Sequence, residues 1–426
     1  MPDRVVVIGG GAAGLMAAGR AAECAARVLL VEKTGRLGQK LALSGGGHGN
    51  ITHVSDVPSF LEHIYPRKDF LRPALRHFGP RDTLAFFERR GLPIVIEEDG
   101  RAFPASRNAH DVVAALRTWC LEGGVQFRFH SPVQEILVQN GAIYAVKTAD
   151  GKAISASAVI LATGGMSYPH TGSSGDGYRL ASALGHTILP PRPGLVPLIA
   201  QEPWCKALQG VSLKGVVGWL EQEGKRLAKA RGDVVLTHFG LSGPLALSLS
   251  LHLGDALEAG PVTLGLDLIP SLTQEALEAF LVRQATDAGR GRLANALHAF
   301  LPKSLVAALI AQCGLSPDLP LGQLKATARR HLVHRLKRCP LTIVSTLPLE
   351  QATITLGGVR LEEVDPHTMA SRRVNGLYFA GELLAVWGDT GGYNLQIAWT
   401  TGYMAGEAAA GFATSQGIGE RFGHRG

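Results

Sequence analysis

Cysteine is scarce in this chain. The five thiols, Cys24, Cys120, Cys205, Cys313 and Cys339, are scattered, odd in number and form no CxxC pair. That pattern excludes a disulfide framework and a clustered thiolate zinc site, and it fits a reducing, cytoplasmic setting. No apolar run reaches the length of a membrane span. The first strand pattern begins at Val5, so no signal peptide is expected before it. Internal repeats and low-complexity segments are absent as well. Charged residues make up 18% of the chain and hydrophobic ones 46%, a composition that excludes global disorder. A length of 426 residues exceeds one ordinary core and implies two or three domains.

The charge that is present sums to +7. Its densest stretch runs from Lys325 to Arg338 and carries Arg329, Arg330, His331, His334, Arg335 and Lys337. No aromatics interleave with these cations, and no nucleic-acid fold signature accompanies them. The stretch reads as a solvated helix face, and no stable nucleic-acid partner is expected. His331 and His334 lack a third metal ligand nearby, so no metal site is expected.

Glycine, by contrast, is abundant, with 53 residues. Val5 to Ile8 run directly into Gly9-Gly10-Gly11-Ala12-Ala13-Gly14. A helical stretch follows, then a second apolar run, Val28 to Val31, ending on Glu32 and Lys33. This is a dinucleotide fingerprint in full βαβ context. Gly9 permits the tight turn, Gly11 the approach of a pyrophosphate, and Gly14 close helix–sheet packing. Glu32 stands where a carboxylate can hold ribose hydroxyls, which also disfavours a 2′-phosphate there.

Residues 34–60 are loop-like. Residues 80–91 and 106–123 read as helices. Short strands follow, two of them joined by Asn140-Gly141, a hairpin signal. Pro190, Pro191, Pro193 and Pro197 mark a boundary. Beyond it, residues 198–270 alternate β-like runs with turns, and residues 271–338 read as helical. From Val374 the dinucleotide pattern returns. The expected division is therefore a discontinuous nucleotide domain, 1–192 with 342–426, interrupted by a β-rich part, 193–270, and a helical part, 271–341.

Two later segments turn the reading from NAD to FAD. One is the strand ending in Ala162-Thr163-Gly164-Gly165, whose small residues let backbone pass close to a large ligand. The other is Ala380-Gly381-Glu382, followed by Gly391-Gly392-Tyr393-Asn394 opening a helix. A strand-end acid can bond a ribityl hydroxyl, and a helix N-terminus can stabilise charge on a reduced flavin. A second GxGxxG is missing, so a dedicated NAD(P) domain of the disulfide-reductase type is not expected.

These motifs resemble the YhiN/BaiN-like flavoproteins, NAD(P)/FAD-dependent oxidoreductases with aminoacetone-oxidase-like members. The resemblance spans nearly the whole chain. It rests on Gly38-Gln39-Lys40-Leu41-Ala42-Leu43-Ser44-Gly45-Gly46-Gly47 with Asn50, on Arg101-Ala102-Phe103-Pro104-Ala105-Ser106, and on Ala162–Gly165 with Ser167–Gly172. His238–Pro244 and Gly391–Gln396 extend it. It implies an α/β fold: a glutathione-reductase-type FAD-binding Rossmann domain, discontinuous, with an inserted β-barrel-like domain and a helical subdomain. It also implies FAD contacts at Gly9 to Gly14, Glu32, Lys40, Ser44 to Gly47, Val133, Thr163, Gly164, Glu382, Asn394 and Leu395. Two departures stand out. His48-Gly49 replaces the family's Arg-Cys, so thiol chemistry is not available there. Leu384-Ala385-Val386-Trp387 replaces a Leu-Asp-Val-Asp run, although Asp389 lies close by.

Proton-handling candidates are His48, Tyr393 and Asp389, with Tyr168 and His170 more suited to shaping their loop. The expected cofactor is non-covalent FAD, with NAD(P)H as a transient co-substrate. Two functions fit. One is an oxidoreductase acting on a small or medium organic substrate, as oxidase or reductase. The other is a flavoprotein that binds RNA or protein through its basic helical part. Oligomeric state is left open.

Overall fold

A computed structural model describes residues 4–287 and 291–423 of the chain. It divides into two compact units, residues 1–192 with 353–426, and residues 193–352.

The first unit is built on a five-stranded parallel sheet. Its order is Leu377–Phe379, Ala158–Leu161, β1 (Arg4–Ile8), β2 (Arg27–Val31) and Gln126–Arg128. Val5, Val6, Val7 and Ala158 to Leu161 are wholly buried. Strands covered on both faces need such unbroken apolar runs. Helix α1 (Ala12–Glu23) and the C-terminal helix Tyr393–Gly423 pack on the sheet and on each other. Gly402 and Gly406 make that helix pair close, because a Cβ on them would lie 2.5 Å from Ala13 O and 2.4 Å from Ala17 O. A three-stranded antiparallel sheet, Val133–Gln139, Ala142–Thr148 and Ala153–Ser155, flanks the core. Its first turn carries positive φ at Asn140 (53°) and Gly141 (76°), the conformation that twisted hairpins demand.

The second unit holds a closed barrel. Around it run Leu198–Ala200, Gly240–Ser242, Lys225–Leu236, Ser212–Gln222, Val262–Asp267 and Cys339–Thr346. Helices Gln274–Asp287, Lys303–Gln312 and Ala326–Lys337 share its apolar cluster through Leu281, Leu309 and Leu336. One boundary is corrected. Residues 342–352, expected in the nucleotide domain, belong to the barrel unit. Strand Cys339–Thr346 pairs with Val262–Asp267 on one side and Leu198–Ala200 on the other. Without it the barrel would carry two open edges.

All five cysteines are free thiols. Among the described residues, no helix is long and apolar enough to cross a membrane, and no group of side chains could hold a metal ion.

Candidate active site

The parallel sheet puts the C-terminal ends of four strands side by side, and a cavity of about 490 Å³ opens beyond them. Gly9, Gly11, Ala12 and Ala13 follow β1, while Glu32 and Lys33 follow β2. Ala162, Thr163 and Gly164 follow the third strand, and Gly381 and Glu382 the fourth. Gly10, Lys40, Ser44, Gly45, Gly46, Val133, Tyr168, Asn394 and Leu395, also singled out from sequence, line it as well. In open α/β sheets this crevice is where ligands bind.

The glycines divide by role. Gly9 has φ of +106°, and a Cβ there would lie 2.5 Å from Ala162 O. Gly14 does not line the cavity: a Cβ on it would lie 1.9 Å from Gly9 O, so it packs the helix onto the turn. Gly11 is different, because a Cβ there would meet nothing within 4 Å. No side chain caps the helix it begins. Its first-turn N–H groups therefore face open space with a partial positive charge, a cradle for a diphosphate.

The cavity's charged side chains Glu32, Lys33, Lys40, Asp176 and Glu382 are each held. Glu32 Oε2 accepts from Gly10 N at 2.7 Å, and its Oε1 accepts from Thr34 N and Oγ1, both at 2.8 Å. The carboxylate is thereby fixed at the end of β2. Lys33 Nζ pairs with Asp176 at 2.7 Å. Lys40 Nζ donates to Ser167 Oγ and to Glu382 Oε2, both at 2.6 Å. Glu382 Oε1 accepts from Thr355 N at 2.8 Å and from Ser167 Oγ at 3.1 Å. Two buried hydroxyls in the lining, Ser44 Oγ and Thr163 Oγ1, have no hydrogen-bond partner. Buried polar atoms rarely go unpaired, so a cradle with open space at Gly11 and Gly46 and two orphaned hydroxyls fits a large polar cofactor such as FAD.

Several predicted residues lie elsewhere. Gly47, Asn50 and Gly392 stand outside the cavity lining, although Asn50 Oδ1 is buried without a partner and a Cβ on Gly392 would lie 2.9 Å from it. The Asn394 side chain closes on its own loop, accepting from Gly388 N at 2.9 Å and donating to Gly388 O at 2.8 Å. His48 is exposed and outside the lining, with Nδ1 3.2 Å from Arg107 O. Tyr393 is buried and also outside it, its ring stacking with His53 at 4.8 Å and with His63 at 4.7 Å. Burial pushes its phenol far above the ordinary range. Asp389 pairs with His63 Nδ1 at 2.7 Å.

Sequence reasoning missed Ser167 and Thr355 as the holders of Glu382, and His53 and His63 altogether. Asp176 carried a signal, since it opens helix Asp176–Ala183 after a glycine-rich turn. The histidines carried none. In the other unit, three of the six Lys and Arg side chains of the basic stretch are paired: Lys337 with Asp267, Arg338 with Glu221 and Arg329 with Glu278.

Fold and site together define an FAD-dependent oxidoreductase of Rossmann type. Residues 3–408 match the HI0933-like protein Rossmann domain, and the chain belongs to that family. It is 35% identical to the 3-dehydro-bile acid delta(4,6)-reductase of Clostridium scindens, over 96% of this chain and 99% of that one. It is 31% identical to the ribosomal RNA dihydrouridine synthase of Escherichia coli, over 94% and 96% respectively. Among solved structures, the fold resembles the 3-ketosteroid-delta4-(5alpha)-dehydrogenase of Rhodococcus jostii RHA1, with a TM-score of 0.52 and 16% identity over 95% of this chain and 96% of that one.

Proposed function

We propose that this protein uses non-covalent FAD to reduce a carbon–carbon double bond conjugated to a carbonyl in a small organic molecule, with NAD(P)H as electron donor. The observation that carries the reading is the reductase relative, aligned over almost the full length of both chains. The names of both relatives describe the same kind of step, saturation of a C=C bond, in a bile acid and in a uracil ring. On this reading the nucleotide unit is a discontinuous FAD domain of glutathione-reductase type, and the barrel with its helices is its insert.

The residues would share the work as follows. The N–H groups at Gly11 to Ala13 bind the diphosphate, and Glu32 receives the adenosine ribose. Lys40, Ser167 and Glu382 orient the ribityl chain. Asn394 and Leu395 bring the start of the C-terminal helix to the ring, where its dipole favours negative charge. The bound flavin supplies the hydride; the protein orients the alkene against it and excludes competing reactions.

Anaerobic stopped-flow spectroscopy of the holoprotein tests this. NADH or NADPH should bleach the flavin band, and a carbonyl-conjugated alkene, with 4-androstene-3,17-dione as the first probe, should restore it faster than air does. Faster recovery in air than with any alkene would make the protein an oxidase. Recovery only with ribosomal RNA would move the substrate to that class. Yellow colour that stays with the denatured chain would overturn non-covalent binding.

A further inference from the structure

One cluster of titratable side chains is not used by the cofactor cradle. It lies at the segment that enters the C-terminal helix. Strand Ile64–Tyr65 pairs with Trp387–Gly388 in an antiparallel ladder of two residues. The pairing sets His63 beside Asp389: Asp389 N donates to His63 O at 3.0 Å, and the two side chains meet at 2.7 Å. Asp389 is followed by Thr390, which lines the cavity. Along the chain the dyad is thus one residue from the cavity wall, although neither of its side chains is part of the lining.

We propose that His63, oriented by Asp389, is the proton donor for the reduction. This rests on the reading given under Proposed function. The step balances as follows. One carbon of the alkene receives the hydride supplied by reduced FAD, itself recharged by a nicotinamide dinucleotide. The carbon next to the carbonyl receives the proton from His63 Nε2, and the C=C π bond is lost. His63 becomes a neutral imidazole, keeps Nδ1–H on Asp389, and takes its next proton from solvent.

Geometry separates His63 from its neighbours. Asp389 occupies Nδ1, so Nε2 is the atom left to deliver a proton, and the side chain is 46% exposed, enough for solvent to recharge it. The ring is held in plane by the stack on Tyr393. His53, which also stacks on Tyr393 and lies 6.4 Å from His63, is unsuited: Nε2 lies on Asp99 O at 2.8 Å, and Nδ1 is buried with no partner. Burial favours its neutral form. The groups that face His63 are Asp389 and Glu62, which favour its charged form, and His53, Tyr65 and Tyr393. The hydrogen bond to Asp389 is the largest of these influences, exceeds the opposing effect of burial, and raises the imidazole above its ordinary range. A charged imidazole near neutral pH is a competent general acid.

The test uses the holoprotein reduced with dithionite and two oxidants. Cyclohex-2-enone needs a proton to complete its reduction; ferricyanide takes electrons alone. His63→Gln should slow oxidation by the enone about 100-fold or more, the range for a lost general acid, and leave oxidation by ferricyanide within threefold. Asp389→Asn should move the pH at which the enone rate falls downward by a unit or more, and the His63 imidazole signal in NMR should titrate lower in step. Far-UV circular dichroism and FAD content show whether either variant is folded. An enone rate in His63→Gln within threefold of wild type overturns the proposal alone, as does an equal loss with ferricyanide. A wild-type protein inert to every conjugated alkene overturns the proposal and the proposed function together.

Discussion

Replacing Gly11 by Val should weaken FAD binding about 100-fold while leaving the empty fold intact. The reasoning starts from backbone geometry. Gly11 has φ of −80° and ψ of −168°, an extended conformation that valine adopts without strain. A Cβ there meets nothing within 4 Å, so the side chain clashes with no protein atom. It does fill the space above the first N–H groups of α1. Each hydrogen bond from such a group to a charged phosphate contributes about 1.5–3 kcal/mol, so losing one or two should cost about 3 kcal/mol, or about 100-fold in Kd. Gly14→Ala is the contrasting perturbation, because its Cβ would lie 1.9 Å from Gly9 O. Helix α1 must then shift, at about 1–3 kcal/mol or more. Thermal melts of both apoproteins, with and without added FAD, separate the two. At FAD near 100 times Kd the wild type should gain about 2.7 kcal/mol, roughly 5–10 °C in Tm. Gly11→Val should melt with the wild-type apoprotein and gain only about 0.4 kcal/mol from the same FAD concentration. Gly14→Ala should melt lower even without it. If Gly11→Val binds FAD within threefold of wild type, or its apoprotein melts as low as Gly14→Ala, the assignment of the cradle is wrong.

Three further outcomes are expected. Asn394→Ala removes the clamp on Gly388 and Asp389; FAD titration should show Kd rising about tenfold as the loop loosens, equivalent to about 1.4 kcal/mol. Glu363 is buried, which opposes its ionisation, but Arg373 with the N–H and hydroxyl of Thr187 outweighs burial and brings its carboxyl from 4.5 to about 2. Because the folded pKa is depressed, the stabilisation is complete above about pH 4.5 and is lost as pH falls toward 2. Denaturant melts of Glu363→Gln should show a loss of about 2–3 kcal/mol at neutral pH that shrinks across that window. Trp399 is fully buried and donates from Nε1 to Ile51 O at 2.9 Å; Trp399→Phe strands that carbonyl and should lower the unfolding free energy by about 1–3 kcal/mol.

The part of the cavity lining formed by the glycine turn and the strand-end acids was legible because its information is local. Gly9 through Gly14 and Glu32 act within one βαβ unit, where an apolar run, a glycine turn and a strand-end acid can be read in order. The same holds for Thr163 and Glu382, each at the end of an apolar strand. His48 was a fair candidate by loop context, but its ring turns to Arg107 O instead of the cavity. Tyr393 sits at the helix start as expected, yet the stack of His53 and His63 turns it inward. Neither orientation is encoded by neighbours in sequence.

By itself, then, the sequence determined the sheet's central strands, the glycine turn after the first of them, the strand-end acids and the discontinuous return of the chain at its C-terminal end. Each follows from short-range apolar patterning and glycine's backbone freedom. Only the tertiary structure decided which groups meet across long separations. Lys40 reaches Glu382 across 342 residues, and His63 reaches Asp389 across 326. Strand Cys339–Thr346 went to the barrel because its two edges needed partners there. Strand pairing is a property of the partner as much as of the segment, so two-residue ladders and barrel closure leave no periodic trace in one stretch of chain.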